Sequence, residues 1–262
     1  MSKKDCKVKS FFAFIAFIAF AVAFIGCEKK DDSYEKVIAK GELVVGLDVY
    51  YPPMGFYDQD GDIVGFDIDL AVEVCARMGI KLKTVPITWE NKEHELNSGA
   101  IDCIWNGMSV DSSRASNMNL TDPYFRNGMF FVVKDSSLAN MDSLMGKRIA
   151  LQKGSTSQAH LAASEVGKSA KEIIAFDNNF KALAALDSGD VDIVYLDEVI
   201  AEYMNFKFNR GYILLEDPLV KETLAIGFRK NDQTLRDAVN DLMKTIKADG
   251  RFVKISMKWF GK

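Results

Sequence analysis

The chain has 262 residues, 48% of them hydrophobic and 27% charged, with a formal net charge of −4. That length suits one large domain or two ordinary ones, and the acid excess argues against a nucleic-acid partner, which needs clustered Lys and Arg. The two histidines, His94 and His160, lie far apart and no cysteine spacing suits zinc, so neither a metal nor another cofactor is expected.

The first ten residues carry Lys3, Lys4, Lys7 and Lys9 against Asp5 alone, and residues 11–25 carry no charge at all. A basic head, a short apolar stretch and a small residue before a polar string form an export signal. The apolar stretch is short for a span, which needs about 20 residues. Phe24-Ile25-Gly26-Cys27 resembles the bacterial lipoprotein processing site, which implies cleavage before Cys27 (residues 1–26 as signal) and a lipid on that cysteine. An uncleaved N-terminal anchor is the alternative. Either way the remainder lies outside the cytoplasm, tethered to a membrane surface, in a periplasm or at a cell surface. Residues 27–36 read as a flexible tether, and no later segment is apolar for long enough to span a bilayer.

From residue 43 short strand-type runs alternate with amphipathic helices. Strands are predicted at 43–47, 80–85 and 101–106, with helices at 67–78 and 91–98. In the first helix Ile68, Ala71, Cys75 and Met78 recur every three or four positions, and Gly79 stops it. Strands at 148–152, 173–176 and 191–196 alternate with helices at 157–166, 179–188 and 198–206. Helices from 235 to 259, broken at Gly250, close the chain. This βαβα order predicts an α/β fold with largely parallel sheets flanked by helices. An internal repeat doubles it: residues 96–105 (LNSGAIDCIW) match residues 186–195 (LDSGDVDIVY), and each copy reads as helix end, Ser-Gly turn, Asp and buried strand. Two similar lobes follow. Cys75, on the core side of a helix, and Cys103, in a buried strand, are expected as two free buried thiols.

In open parallel sheets, ligands gather beyond the carboxyl ends of the strands. Read forward, the strands end at Asp48 and Tyr51, at Trp89, at Asn106-Gly107-Met108-Ser109 with Arg114 beyond, at Gln152 followed by Gly154-Ser155-Thr156-Ser157, and at Asp197. Arg114 can grip a carboxylate through two parallel hydrogen bonds. Residues 154–157 offer amide donors at a helix start to the same anion. Asp197 can receive an ammonium, and Tyr51 and Trp89 supply flat faces. A zwitterion is the small molecule that uses all of these at once.

The chain resembles the extracytoplasmic solute-binding proteins of family 3, which feed polar amino acids to ABC importers. The resemblance runs from about residue 41 to 260. It is carried by Tyr51-Pro52-Pro53, Gly65-Phe66-Asp67-Ile68-Asp69-Leu70, Asn106-Gly107-Met108-Ser109 with Arg114, and Asp122-Pro123-Tyr124. Gly146-Lys147-Arg148, Gly154-Ser155-Thr156 and Leu196-Asp197-Glu198 complete it. It implies the type II periplasmic-binding-protein fold, two lobes joined by a two-strand hinge. Arg114 would clamp the ligand carboxylate with Ser109 and Thr156. Asp197 would take the ammonium with the Gly107 backbone and Ser109. Tyr51 and Trp89 would sandwich the side chain, and Asp48 and Gln152 would face its tip. Asn106-Gly107 stands where basic-amino-acid binders often have Ser-Ser, Ser157 where several relatives have Gln, and Leu82 where some have a cysteine that could pair with Cys75.

Lobe 1 is expected at 37–131 plus 224–262, lobe 2 at 134–222, and the hinge near 131–133 and 223–225. A ligand touching both lobes favours the closed form. The expected activity is non-enzymatic: a lipid-anchored monomer that captures a polar L-amino acid and passes it to the membrane permease of an ABC importer. Basic side chains are favoured, with glutamine or cystine next. The alternatives are a cyclohexadienyl dehydratase-like enzyme on the same fold and a detached sensory subunit. Asp67 reads as a helix cap, and both histidines as surface residues.

Overall fold

The computed structural model describes residues 30–261, and the compact unit begins at Ser33. The expected export signal and lipid-bearing Cys27 lie outside the described residues.

In chain order the elements are α1 Ser33–Lys40, β1 Glu42–Leu47, the hairpin strands β2 Tyr50–Tyr51, β3 Gly55–Tyr57 and β4 Ile63–Val64, and α2 Phe66–Met78. Then come β5 Lys81–Pro86, α3 Lys92–Ser98, β6 Cys103–Ser109, α4 Ser112–Asn117, β7 Met118–Leu120 and β8 Phe125–Val133. The middle of the chain supplies β9 Arg148–Gln152, α5 Ser157–Ala163, α6 Glu165–Ser169, β10 Glu172–Phe176, α7 Asn179–Ser188, β11 Ile193–Asp197 and α8 Glu198–Phe208. It closes with β12 Ile213–Leu214, β13 Val220–Arg229, α9 Gln233–Ala248 and α10 Arg251–Phe260.

The strands pair in the order β10-β9-β11-β8-β13-β6-β1-β5. Pairings at both ends are parallel, as the βαβα pattern predicts. Those involving β8 and β13 are antiparallel. Lobe 1 is built on β5, β1 and β6, lobe 2 on β10, β9 and β11, and the two long strands pass through both. Residues 125–129 pair with 220–224 between the lobes. Phe131 and Val132, expected at the hinge, instead pair with Tyr195 and Val194 inside the lobe 2 sheet.

The strands read as nearly continuous apolar runs because both sheet faces are covered. In β9, Ile149 and Leu151 join one buried cluster while Ala150 joins the cluster on the other face. The repeat is structural: α3 and α7 end on Gly99 and Gly189, both left-handed, and each feeds a buried strand. Cys75 and Cys103 are free and buried in one cluster, as expected, and burial pushes the Cys75 thiol up to about 11.

Three local expectations are corrected. Residues 33–36 are not tether: α1 starts at Ser33, whose hydroxyl lies 3.0 Å from that of Thr234, and Val37 is buried in the core. The helix expected at 157–166 breaks at Ser164, whose hydroxyl accepts from Gly167 N–H and caps α6. The third strand runs on to Ser109, so Gly107 to Ser109 lie within β6, not after it.

Candidate functional site

The site lies where lobe 1, lobe 2 and the crossing strands meet. A cavity there is lined by Tyr51, Trp89, Asn106, Gly107, Ser109 and Arg114 from lobe 1, by Gln152, Ser155, Thr156 and Asp197 from lobe 2, and by Met129 of β8. It measures about 20 Å³, room for a water or two.

Local chemistry explains each position. Between Ile104 and Met108 strand β6 advances four residues while its partner β13 advances two, from Gly227 to Ala225, and this bulge carries Asn106 and Gly107 toward the cavity. Gly107 has φ of +54°, and a Cβ there would fall 2.6 Å from Tyr51 Cε1, so the tyrosine ring rests directly on bare backbone. Arg114 follows on α4, where Asp111 caps the helix by accepting from the Arg114 N–H. The guanidinium is 5% exposed, donates to the Ser109 carbonyl at 2.7 Å and lies 3.4 Å from the Asp111 carboxylate. Burial lowers its pKa, with Asp111 opposing. Its centre is 5.8 Å from the Trp89 ring centroid.

Asp197 ends β11 and makes no capping bond to α8, so the default role of an aspartate there is unused. Its carboxylate accepts from Asn127 Nδ2 at 2.7 Å. Burial, with Glu222 adding to it, pushes its pKa up to about 7. Asn106 Nδ2 is buried without a hydrogen bond inside the protein and is available to a solute, whereas the Tyr51 hydroxyl faces the Asp197 carboxylate as a donor.

Contacts across the cleft show the lobes closed. Gln152 Nε2 donates to Asp48 at 2.6 Å, and Gln152 Oε1 accepts from Asn179 at 3.0 Å. Lys92 Nζ donates to the Gly154 carbonyl at 2.8 Å, and Lys153 pairs with Glu90 at 2.9 Å. Lys92 is buried, which pulls its pKa down to about 8. Asp48 is also buried, with its pKa raised by that burial, and its other oxygen takes the Tyr50 N–H.

Ten of the predicted residues therefore line the cavity: Tyr51, Trp89, Asn106, Gly107, Ser109, Arg114, Gln152, Ser155, Thr156 and Asp197. Four do not. Asp48 lies behind Gln152; Met108 is packed in the lobe 1 core; Gly154 abuts the Glu90 backbone; the Ser157 hydroxyl points to the Tyr195 carbonyl at 3.5 Å. Three important groups were not anticipated. Met129 lines the cavity from β8. Glu222 of β13 accepts the Ser109 hydroxyl at 2.8 Å. His160, read as a surface residue, lies 3.5 Å from Glu222 and 3.3 Å from the Tyr195 hydroxyl.

Asp67 also departs from expectation. Gly65 precedes the helix and no side chain caps it. The Asp67 carboxylate instead accepts from Gly107 N–H at 2.6 Å and from Tyr124 Oη at 2.9 Å. It thus fixes the bulge that shapes the cavity. Burial pushes its pKa from 3.8 to about 7. The folded protein holds this proton where the unfolded chain has released it, so stability falls as pH rises from about 4 to about 7. Melting curves of the ligand-free protein are expected to show that slope, and Asp67→Asn to flatten it. Asp67→Ala leaves two buried donors unpartnered, at about 1–3 kcal/mol each, and is expected to lower Tm by roughly 5–15 °C.

The geometry is matched by comparison with known proteins. The L-cystine-binding protein TcyJ of Escherichia coli is 26% identical over 86% of this chain and 85% of its own length. A substrate-binding protein of an ABC uptake transporter from Streptococcus pneumoniae, solved with bound histidine, superposes with a TM-score of 0.84 at 32% identity, covering 89% of this chain and 97% of the other. An ancestral amino-acid-binding protein described as a precursor of cyclohexadienyl dehydratase superposes with a TM-score of 0.78 at 32% identity, covering 87% and 99%. These neighbours share the type II periplasmic-binding-protein fold. The family pattern matches residues 43–262, and the chain belongs to the bacterial extracellular solute-binding proteins, family 3.

Proposed function

We propose that this protein captures a polar L-amino acid between its two lobes and delivers it to the permease of an ABC importer, held at the membrane as a monomer by a lipid on Cys27. The observation that carries the reading is the opposition of Arg114, from lobe 1, and Asp197, from lobe 2, across one cavity. A zwitterion satisfies both charges only when the lobes are shut, so binding and closure are one event. The lobes of this reading are those expected from the sequence, 37–131 with 224–262 and 134–222, except that Phe131 goes with the lobe 2 sheet, where it pairs with Tyr195. Rotation is assigned to the paired stretch 125–129 with 220–224.

In this reading Arg114, with Thr156 and Ser155, holds the carboxylate, and Asp197 the ammonium. Tyr51 and Trp89 flank the side chain. A cationic side chain suits Asp48, once Gln152 turns aside; glutamine or cystine comes next. Calorimetric titration of the purified protein with the twenty amino acids and cystine is the test. Micromolar or tighter binding of at least one is expected, and nothing tighter than millimolar would reject the function.

The enzymatic alternative uses a carboxyl group as acid or base. Asp48 is already bonded to two donors and Asp197 to Asn127, which favours binding over turnover. An aromatic product formed from prephenate or arogenate would reverse that conclusion.

A further inference from the structure

Glu222 lies on the strand shared by both lobes, its side chain only 4% exposed, and each of its oxygens faces a different lobe. Oε2 takes the proton of the Ser109 hydroxyl at 2.8 Å, and Oε1 lies 3.5 Å from His160 Nε2. A serine hydroxyl owns one proton and two lone pairs, and an ionised carboxylate can only accept. With that proton given to Glu222, the Ser109 oxygen turns lone pairs alone toward the cavity it lines. It can accept from an ammonium and cannot donate to a carboxylate. Of the two roles the resemblance implied for Ser109, this keeps the one at the ammonium and removes the one at the carboxylate.

We propose that Glu222 is a positioning residue that fixes the polarity of the amine end of the cleft: it makes Ser109 a pure acceptor and adds a second negative charge beside Asp197. The inference rests on the amino-acid-binding reading and assigns a specificity-setting role within it. The ionisable groups facing Glu222 are Arg114 from α4, His160 from α5, Asp197 and Tyr195 from β11, and Tyr51 from β2. Asp111, Arg126, Glu198 and Lys221 border it on the side away from the ligand cavity. Glu222 is also the largest charge influence on Asp197, second only to burial.

Glu222→Gln keeps an acceptor for Ser109 and removes the charge. Carbon-13 NMR titration of the Asp197 carboxyl in the ligand-free protein, assigned with Asp197→Asn, is expected to give a midpoint near 7 in the wild type. In Glu222→Gln the midpoint should fall by at least one pH unit; an unmoved midpoint overturns the proposal. Glu222→Leu removes the acceptor as well. Calorimetry at pH 8 with L-arginine and with its analogue lacking the α-amino group should show their affinity ratio dropping at least tenfold in Glu222→Leu; an unchanged ratio also overturns it. Should Glu222→Leu not fold, the Glu222→Gln titration decides. That titration contains no ligand, so it judges Glu222 alone. A wild type that binds no amino acid would sink the functional reading instead.

Discussion

Arg114→Ala is expected to weaken amino-acid binding by about 10²- to 10³-fold. The guanidinium is almost wholly buried, is oriented by its bond to the Ser109 carbonyl and is backed by Asp111. A ligand carboxylate that enters this enclosed space without it keeps Thr156 and Ser155 but loses its charged partner, a loss of about 3–4 kcal/mol. Arg114→Lys keeps the charge and loses the planar fork, so it should recover only part of the loss. Calorimetry checks both, and circular dichroism establishes that the variants fold. Affinity within tenfold of wild type in Arg114→Ala would reject the carboxylate clamp.

Gly154→Val is expected to cost at least 100-fold in affinity through closure, with no ligand contact removed. A Cβ at Gly154 would lie 2.8 Å from Glu90 Cα, so the obstruction is backbone against side chain and neither yields cheaply. The two residues belong to opposite lobes, and the neighbouring Lys92 and Lys153 contacts span the same seam. With the lobes parted, as proposed for the ligand-free state, no such clash arises. Gly154 also has φ of +72°, which adds strain of roughly 1–3 kcal/mol for a branched residue. Gly146→Val is the matched control: φ is +70° there, and a Cβ meets nothing within 4 Å. It should pay the same strain and bind normally. X-ray scattering with ligand should show compaction for wild type and Gly146→Val but not for Gly154→Val. Compaction of Gly154→Val would place the seam elsewhere.

Much of this was legible in the sequence because strand ends and glycine punctuation are local signals. The repeat at 96–105 and 186–195 announced two equivalent lobes, and both copies fold alike down to Gly99 and Gly189. Reading each strand to its carboxyl end collected most of the cavity wall. What stayed hidden depends on side-chain direction and on partners distant in sequence. Asp67 at a helix start reads as a cap, and only its bonds to Gly107 and Tyr124 reveal another role. Glu222 sits between Lys221 and Thr223 and looks like a polar edge residue, since nothing nearby announces Ser109 or His160 across the fold. Four residues were drawn into the site by adjacency. Met108 is one: alternate residues of a strand point to opposite faces, so Met108, between Gly107 and Ser109 of the cavity wall, belongs to the core.

The ladder between residues 125–129 and 220–224 belongs to neither half alone. Swinging the halves therefore means twisting a hydrogen-bonded ribbon, a torsion spring whose stiffness is set by main-chain bonds instead of by the solute. Substitutions there at Arg126 or Lys221, which do not line the cavity, should retune how quickly cargo is admitted and released together, while every atom that touches the cargo stays the same.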